Sequence, residues 1–171
     1  MFRIAAAAAA AAFFSTSAIA ATVDTFALDV TSAAGTDSTV ILETGKRYTV
    51  TVSGTMSLGS NATRHIADAE YFNLGSSPLA PLDFAGSQEI GVGIDGADVN
   101  FGGFNVSNVY TTTVFGDGTT LNVFFQDSNY ADNSGSLDVE ISLVPLPAGM
   151  ALLVTGLAGF AAVGRRRSSR A

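Results

Sequence analysis

Leu137-Asp138-Val139-Glu140-Ile141-Ser142-Leu143 alternates apolar and polar residues without a break. In an extended chain successive side chains point to opposite faces, so this stretch reads as a strand with one packed side and one wet side. The same period recurs where Tyr48, Val50 and Val52 alternate with Thr49, Thr51 and Ser53, and again at Leu121, Val123 and Phe125. Helix signals are nearly absent between these stretches, which are rich in Thr, Val, Phe, Gly and Asn. Further strands are expected over 26–30, 40–43, 89–94, 101–106 and 109–115, about eight in total, which is the pattern of an antiparallel all-β sandwich. Gly116-Asp117-Gly118 is expected to close a hairpin between 109–115 and 120–126, its glycines supplying positive φ. The segment from Gly91 to Asp98 reads as a strand and a turn. The stretch 59–86 lacks alternation, contains Pro78 and Pro81, and is long for a structureless connection, so it is either a binding loop or a region whose elements the pattern does not reveal.

The two ends of the 171-residue chain differ from this middle. Residues 1–21 hold Arg3, an apolar run from Ile4 to Phe14, and the small-residue sequence Ala18-Ile19-Ala20-Ala21. Charge, apolar run and small-residue cleavage site, in that order, are the layout of a cleavable secretory signal. At the other end Val144-Pro145-Leu146-Pro147-Ala148 precedes an apolar run over 149–164 and the basic cluster Arg165-Arg166-Arg167. A run of that length can serve as a transmembrane helix when basic residues stop it at the cytoplasmic face. The expected organisation is therefore a signal peptide over 1–21, a β-sandwich over 22–144 and a sorting tail over 145–171.

Motif, apolar helix and basic stop together resemble the VPLPA variant of the PEP-CTERM sorting signals. The resemblance covers 144–171. It implies recognition by an exosortase-type membrane enzyme that removes the helix and releases the protein to the cell surface or its exopolysaccharide. The membrane is then a partner only through the C-terminal helix, before processing.

Removing both ends changes the electrostatics. Between them lie only Lys46, Arg47 and Arg64 against all fifteen acidic residues, a net charge of −12. Such acidity argues against nucleic acid as a partner and suits either oxygen coordination of divalent cations or simple solubility. The chain has no cysteine, so packing must hold the fold without disulfides, and thiolate catalysis is excluded.

The densest set of oxygen donors is Asp127-Ser128-Asn129-Tyr130-Ala131-Asp132-Asn133-Ser134-Gly135, between two expected strands. Calcium takes six to eight hard oxygens from carboxylates, amides and carbonyls, all present here. The same residue types also close turns without any metal, by satisfying backbone groups locally. The string FFQDSNYADNSGSLDVEI from Phe124 to Ile141 is similar to the C-terminal calcium loop of the PA-IL galactose-binding lectins. That resemblance implies a galactose-binding-domain or jelly-roll-like sandwich in which Ca2+ bridges protein and sugar hydroxyls. It makes Asp127, Asp132 and Asn133 side-chain ligands, and Asn129 and Leu58 carbonyl ligands. Asp127, Asp132 and Asn133 would also meet a galactoside or exopolysaccharide, with His65 as a further sugar contact. The loop after Asp127 is about two residues shorter than the family pattern, Asp132 stands in place of an Asn, and the spacing of His65 and Gln88 departs from it. A lone loop histidine is also read simply as a solvated side chain.

Catalysis fits poorly. Asp68 and Glu70 could share one strand face as a glycosidase-like pair, but His65 is the only histidine and no serine–histidine–acid series is present. The chain is thus read as a non-enzymatic, exported and surface-sorted calcium-binding lectin-like module, or alternatively as a structural matrix protein in which calcium only stiffens a loop.

Overall fold

A computed structural model describes residues 20–59, 65–73 and 90–145. Residues 1–19 of the signal peptide expected over 1–21, and the expected sorting tail from 146 onward with its apolar run and Arg165 to Arg167, lie outside the described residues. Among the described residues no helix is long and apolar enough to cross a membrane.

Ala20–Val144 forms one unit built from antiparallel strands. The first sheet has the order β1-β12-β3-β9, from β1 (Ala21–Asp29), β12 (Ser136–Leu143), β3 (Arg47–Ser53) and β9 (Val109–Phe115). The second has the order β2-β10-β7-β8, from β2 (Thr36–Ile41), β10 (Thr120–Gln126), β7 (Gly91–Ile94) and β8 (Ala97–Asp98). A third, small sheet runs β11-β4-β5-β6, from β11 (Asn133–Ser134), β4 (Met56–Leu58), β5 (Ile66–Ala67) and β6 (Phe72–Asn73).

The alternating positions make the core. Val50 and Val52 of β3, with Leu137, Val139 and Ile141 of β12, are buried in one cluster with Leu121, Val123 and Phe125 of β10 and Val92 of β7. Each such side chain contributes roughly 1.5–3 kcal/mol on burial, so the inner faces of the two large sheets supply most of the drive to fold. The partner residues Thr49, Thr51, Asp138 and Glu140 stay outside or half-buried, which fixes the register. Buried Ser38 mends one defect of the second sheet. The β2–β10 register shifts between Thr120 and Asn122, and the Leu121 N–H donates to Ser38 Oγ at 2.9 Å instead.

Three expectations need correction. Gly116-Asp117-Gly118 closes no hairpin, because β9 lies in the first sheet and β10 in the second. Gly116 instead crosses against β2's end: a Cβ there would stand 2.4 Å from the Glu43 carbonyl oxygen. Residues 101–106 are not a strand. Asn side chains capture that backbone, Asn100 Oδ1 accepting from Gly102 N and Asn105 Oδ1 from Ser107 N. The stretch after Gly59 is not wholly a loop either, since β5 and β6 lie within it. By contrast Gly91–Asp98 is a strand and turn with β8 as the return, Asp95 and Gly96 both at positive φ, the conformation that suits a two-residue hairpin.

Candidate functional site

The small sheet assembles the polar end of the molecule. All three β4 residues are buried, and the strand leaves through Gly59 at φ +104°. A side chain here would be strained, and its Cβ would meet His65 Nδ1 at 3.3 Å and Asp132 Oδ2 at 3.4 Å. His65 and Asp132 therefore flank one glycine from two different loops.

β10 delivers the other half. Phe125 is buried, and beyond Gln126 the chain turns at Asp127, whose Oδ1 accepts from Ser128 N at 2.6 Å. The Asp127 N–H donates to the Tyr130 hydroxyl at 3.3 Å. A 3-10 turn over Tyr130–Asp132 follows, closed by the Asn133 N–H on the Tyr130 carbonyl. The Asp132 carbonyl then accepts from Gly59 N at 2.9 Å, and Asn133 lies opposite Leu58 in the β11–β4 ladder.

Asn133 is 7% exposed. Its Nδ2 donates to the Val30 carbonyl at 2.9 Å. A carbonyl can receive only the NH2 end of the amide, so this bond fixes which way round the amide sits. Oδ1 is consequently the other end, and among the described residues it is buried without a partner. An amide oxygen left so costs about 1–3 kcal/mol unless a water or cation meets it.

The fold thus brings Leu58, His65, Asp132 and Asn133 to one place. Asn129 is exposed, immediately before the 3-10 turn. Asp127 stands on the same loop but lines, with Gln126, Tyr130 and Asp98, an open depression beside the second sheet. Among the described residues no three His, Asp or Glu side chains gather in a metal-holding group. A cage of two carboxylates completed by amide and carbonyl oxygens does not require three.

A second polar cluster centres on Asp68, which the sequence offered only as half of a carboxylate pair with Glu70. Asp68 is fully buried; its Oδ1 accepts from Glu70 N and Tyr71 N, and its Oδ2 from the Tyr110 hydroxyl at 2.7 Å. Burial, together with the Asp68 carboxylate, pushes the Tyr110 phenol well above its ordinary range. Glu70 sits apart, Oε2 receiving the Phe101 N–H at 3.0 Å, on a cavity of about 370 Å³ that Ile90, Val92 and Val99 also line. Burial, and secondarily Asp68, raises its pKa, against the opposing Phe101 bond. Asp68 and Glu70 are therefore no pair on a strand face: Asp68 follows β5, and its oxygens are engaged by three protein donors. The signal available was the spacing Asp68-Ala69-Glu70-Tyr71, an Asp whose side chain can cap the backbone two and three residues on.

No family model matches the chain, and no curated protein matches it. Among solved structures, a chain described as "EclA N-terminal domain; PllA-like lectin" is similar, with 22% identity, a TM-score of 0.45, and coverage of 72% of this chain and 98% of that one. At that identity and score the likeness stands as an observation and assigns no ligand.

Proposed function

We propose that this is an exported, non-catalytic β-sandwich that binds calcium between the Asp127–Asn133 loop and the end of β4, and recognises carbohydrate through the bound ion. The observation that carries the reading is Asn133 Oδ1, a buried amide acceptor without a partner among the described residues, on a residue that pairs with Leu58 and directly follows Asp132, whose carboxylate lies beside Gly59. Carboxylate, amide and carbonyl oxygens are the donor set that calcium prefers. Asp127, Asp132 and Asn133 would hold the ion through side chains, Leu58 and Asn129 through carbonyls. Once bound, the ion would supply a positive centre able to coordinate vicinal sugar hydroxyls. His65, half-buried across Gly59, would border that ligand. Galactosides and exopolysaccharide are the ligands to try first. The VPLPA-type tail would hand the protein from an exosortase-type enzyme to the cell surface.

Calorimetry on Ala20–Val144 tests this in two steps. Calcium should release heat and raise the melting temperature, the stabilisation reaching about 2.7 kcal/mol at a hundred times the dissociation constant. Asp127→Ala should remove most of that increment. Galactoside or exopolysaccharide heat should appear only with calcium present and vanish with chelator. Calcium binding without any sugar heat would favour the second reading, a matrix component in which the ion ties β11 to β4. The Val30–Asn133–Leu58 arrangement is what favours it, since it links elements distant in sequence.

A further inference from the structure

Among the described residues β9 is the outer edge of the first sheet, paired on one side with β3. The bonds Gly54 N–H to the Asn108 carbonyl, 3.1 Å, and Gly116 N–H to the Lys46 carbonyl, 2.9 Å, bracket that ladder. Antiparallel pairing alternates, so the even-numbered residues of β9 bond β3, while Val109, Thr111, Thr113 and Phe115 turn their N–H and C=O groups away from it. Among the described residues one of these groups is engaged, the Val109 carbonyl accepting from Asn105 Nδ2 at 2.8 Å.

Edges of this kind are normally guarded by charge, proline or a bulge. The opposite edge, β1, carries Asp24 and Asp29 and a register shift between Thr22 and Asp24. β9 carries no charge, no proline and no register shift, although the 22–144 region bears a net charge of −12. Two copies meeting here bring no like charges together.

The strand Val109-Tyr110-Thr111-Thr112-Thr113-Val114-Phe115 also complements itself. Antiparallel pairing about a two-fold axis at Thr112 sets Val109 opposite Phe115, Tyr110 opposite Val114 and Thr111 opposite Thr113. Outward-facing backbone groups then meet outward-facing ones. Val109 and Phe115, 38% and 70% exposed, are among the large apolar residues left on the surface, and this register covers each with the other. An axis one residue away would set one of them against threonine. We propose that a second copy of this chain docks on β9, joining the two four-stranded sheets in an isologous dimer.

Because the chain has no cysteine, a single introduced thiol reports the axis without interference. Across a non-hydrogen-bonded pair at the axis the Cα atoms stand about 4.5 Å apart, within disulfide reach. The exported protein should sediment as a concentration-dependent monomer–dimer system, and Thr112→Cys should form a covalent dimer on mild oxidation. Thr111→Cys alone should link poorly, while mixed with Thr113→Cys it should link well. Thr111→Lys with Thr113→Lys sets like charges opposite each other, and should sediment as a folded monomer with unchanged circular dichroism. A native protein that is monomeric at every concentration overturns the proposal. So does a dimer that survives the double lysine variant, or Thr112→Cys linking no faster than the exposed control Ala33→Cys.

Discussion

The two large sheets and the small sheet are held together by different physics. In the former, β3, β10 and β12 bury an aliphatic or aromatic side chain at every second residue, and Ser38 is a polar exception among the buried residues. In the latter, strands of two or three residues bring Ser57, Asn133 and, just beyond β5, Asp68 into the interior. The contrast separates two tasks. Apolar burial is non-directional and drives folding, whereas buried polar groups must each find a partner and so specify one arrangement of chain.

The largest effect should come from the large sheets. Phe125→Ala removes a fully buried ring and should cost about 3–5 kcal/mol in urea unfolding, with or without calcium. A loss under about 1 kcal/mol would mean that the sheets do not interlock as described. Next, Asp68→Ala leaves the Tyr110 hydroxyl and two backbone N–H groups without their acceptor, and should cost about 3 kcal/mol. Tyr110→Phe, which removes one donor to Asp68 and the long contact from the Asn105 N–H while leaving the Glu70 and Tyr71 bonds in place, should cost about 1 kcal/mol. Equal losses in the two variants would show that the carboxylate does not organise the turn.

The smallest effect concerns pH. Glu70 has a raised pKa in the folded chain because it is partly buried and near Asp68. Between the ordinary glutamate range and that raised value, the native state keeps a proton that the unfolded chain has released. Stability should therefore fall as pH rises through this window, and Glu70→Gln should flatten the fall. Identical melting profiles for the two proteins across mildly acidic pH would contradict this.

The same contrast explains what could be read from sequence. β3, β10 and β12 were legible because alternation is a local signal, written in consecutive residues such as Leu137 to Leu143. Which sheet each strand joins was not. The Gly116 to Gly118 turn looks like a hairpin locally, and only the pairing of β9 with β3 and of β10 with β2 and β7 shows that it crosses between sheets. Residues 101–106 carried enough Phe and Val to resemble a strand, yet the Asn100 and Asn105 side chains took the backbone first. At the polar end, Asn133 and Asp132 stood out by composition. The buried bond from Asn133 to Val30 spans most of the domain and leaves no trace in any window of sequence.

The most direct test of the account is a crystal structure of Ala20–Val144 grown in millimolar calcium. The account predicts an ion about 2.3–2.6 Å from Asn133 Oδ1, with an Asp132 or Asp127 carboxylate and the Leu58 carbonyl in the same shell. A water molecule on Asn133 Oδ1, with no ion at the loop, would contradict it.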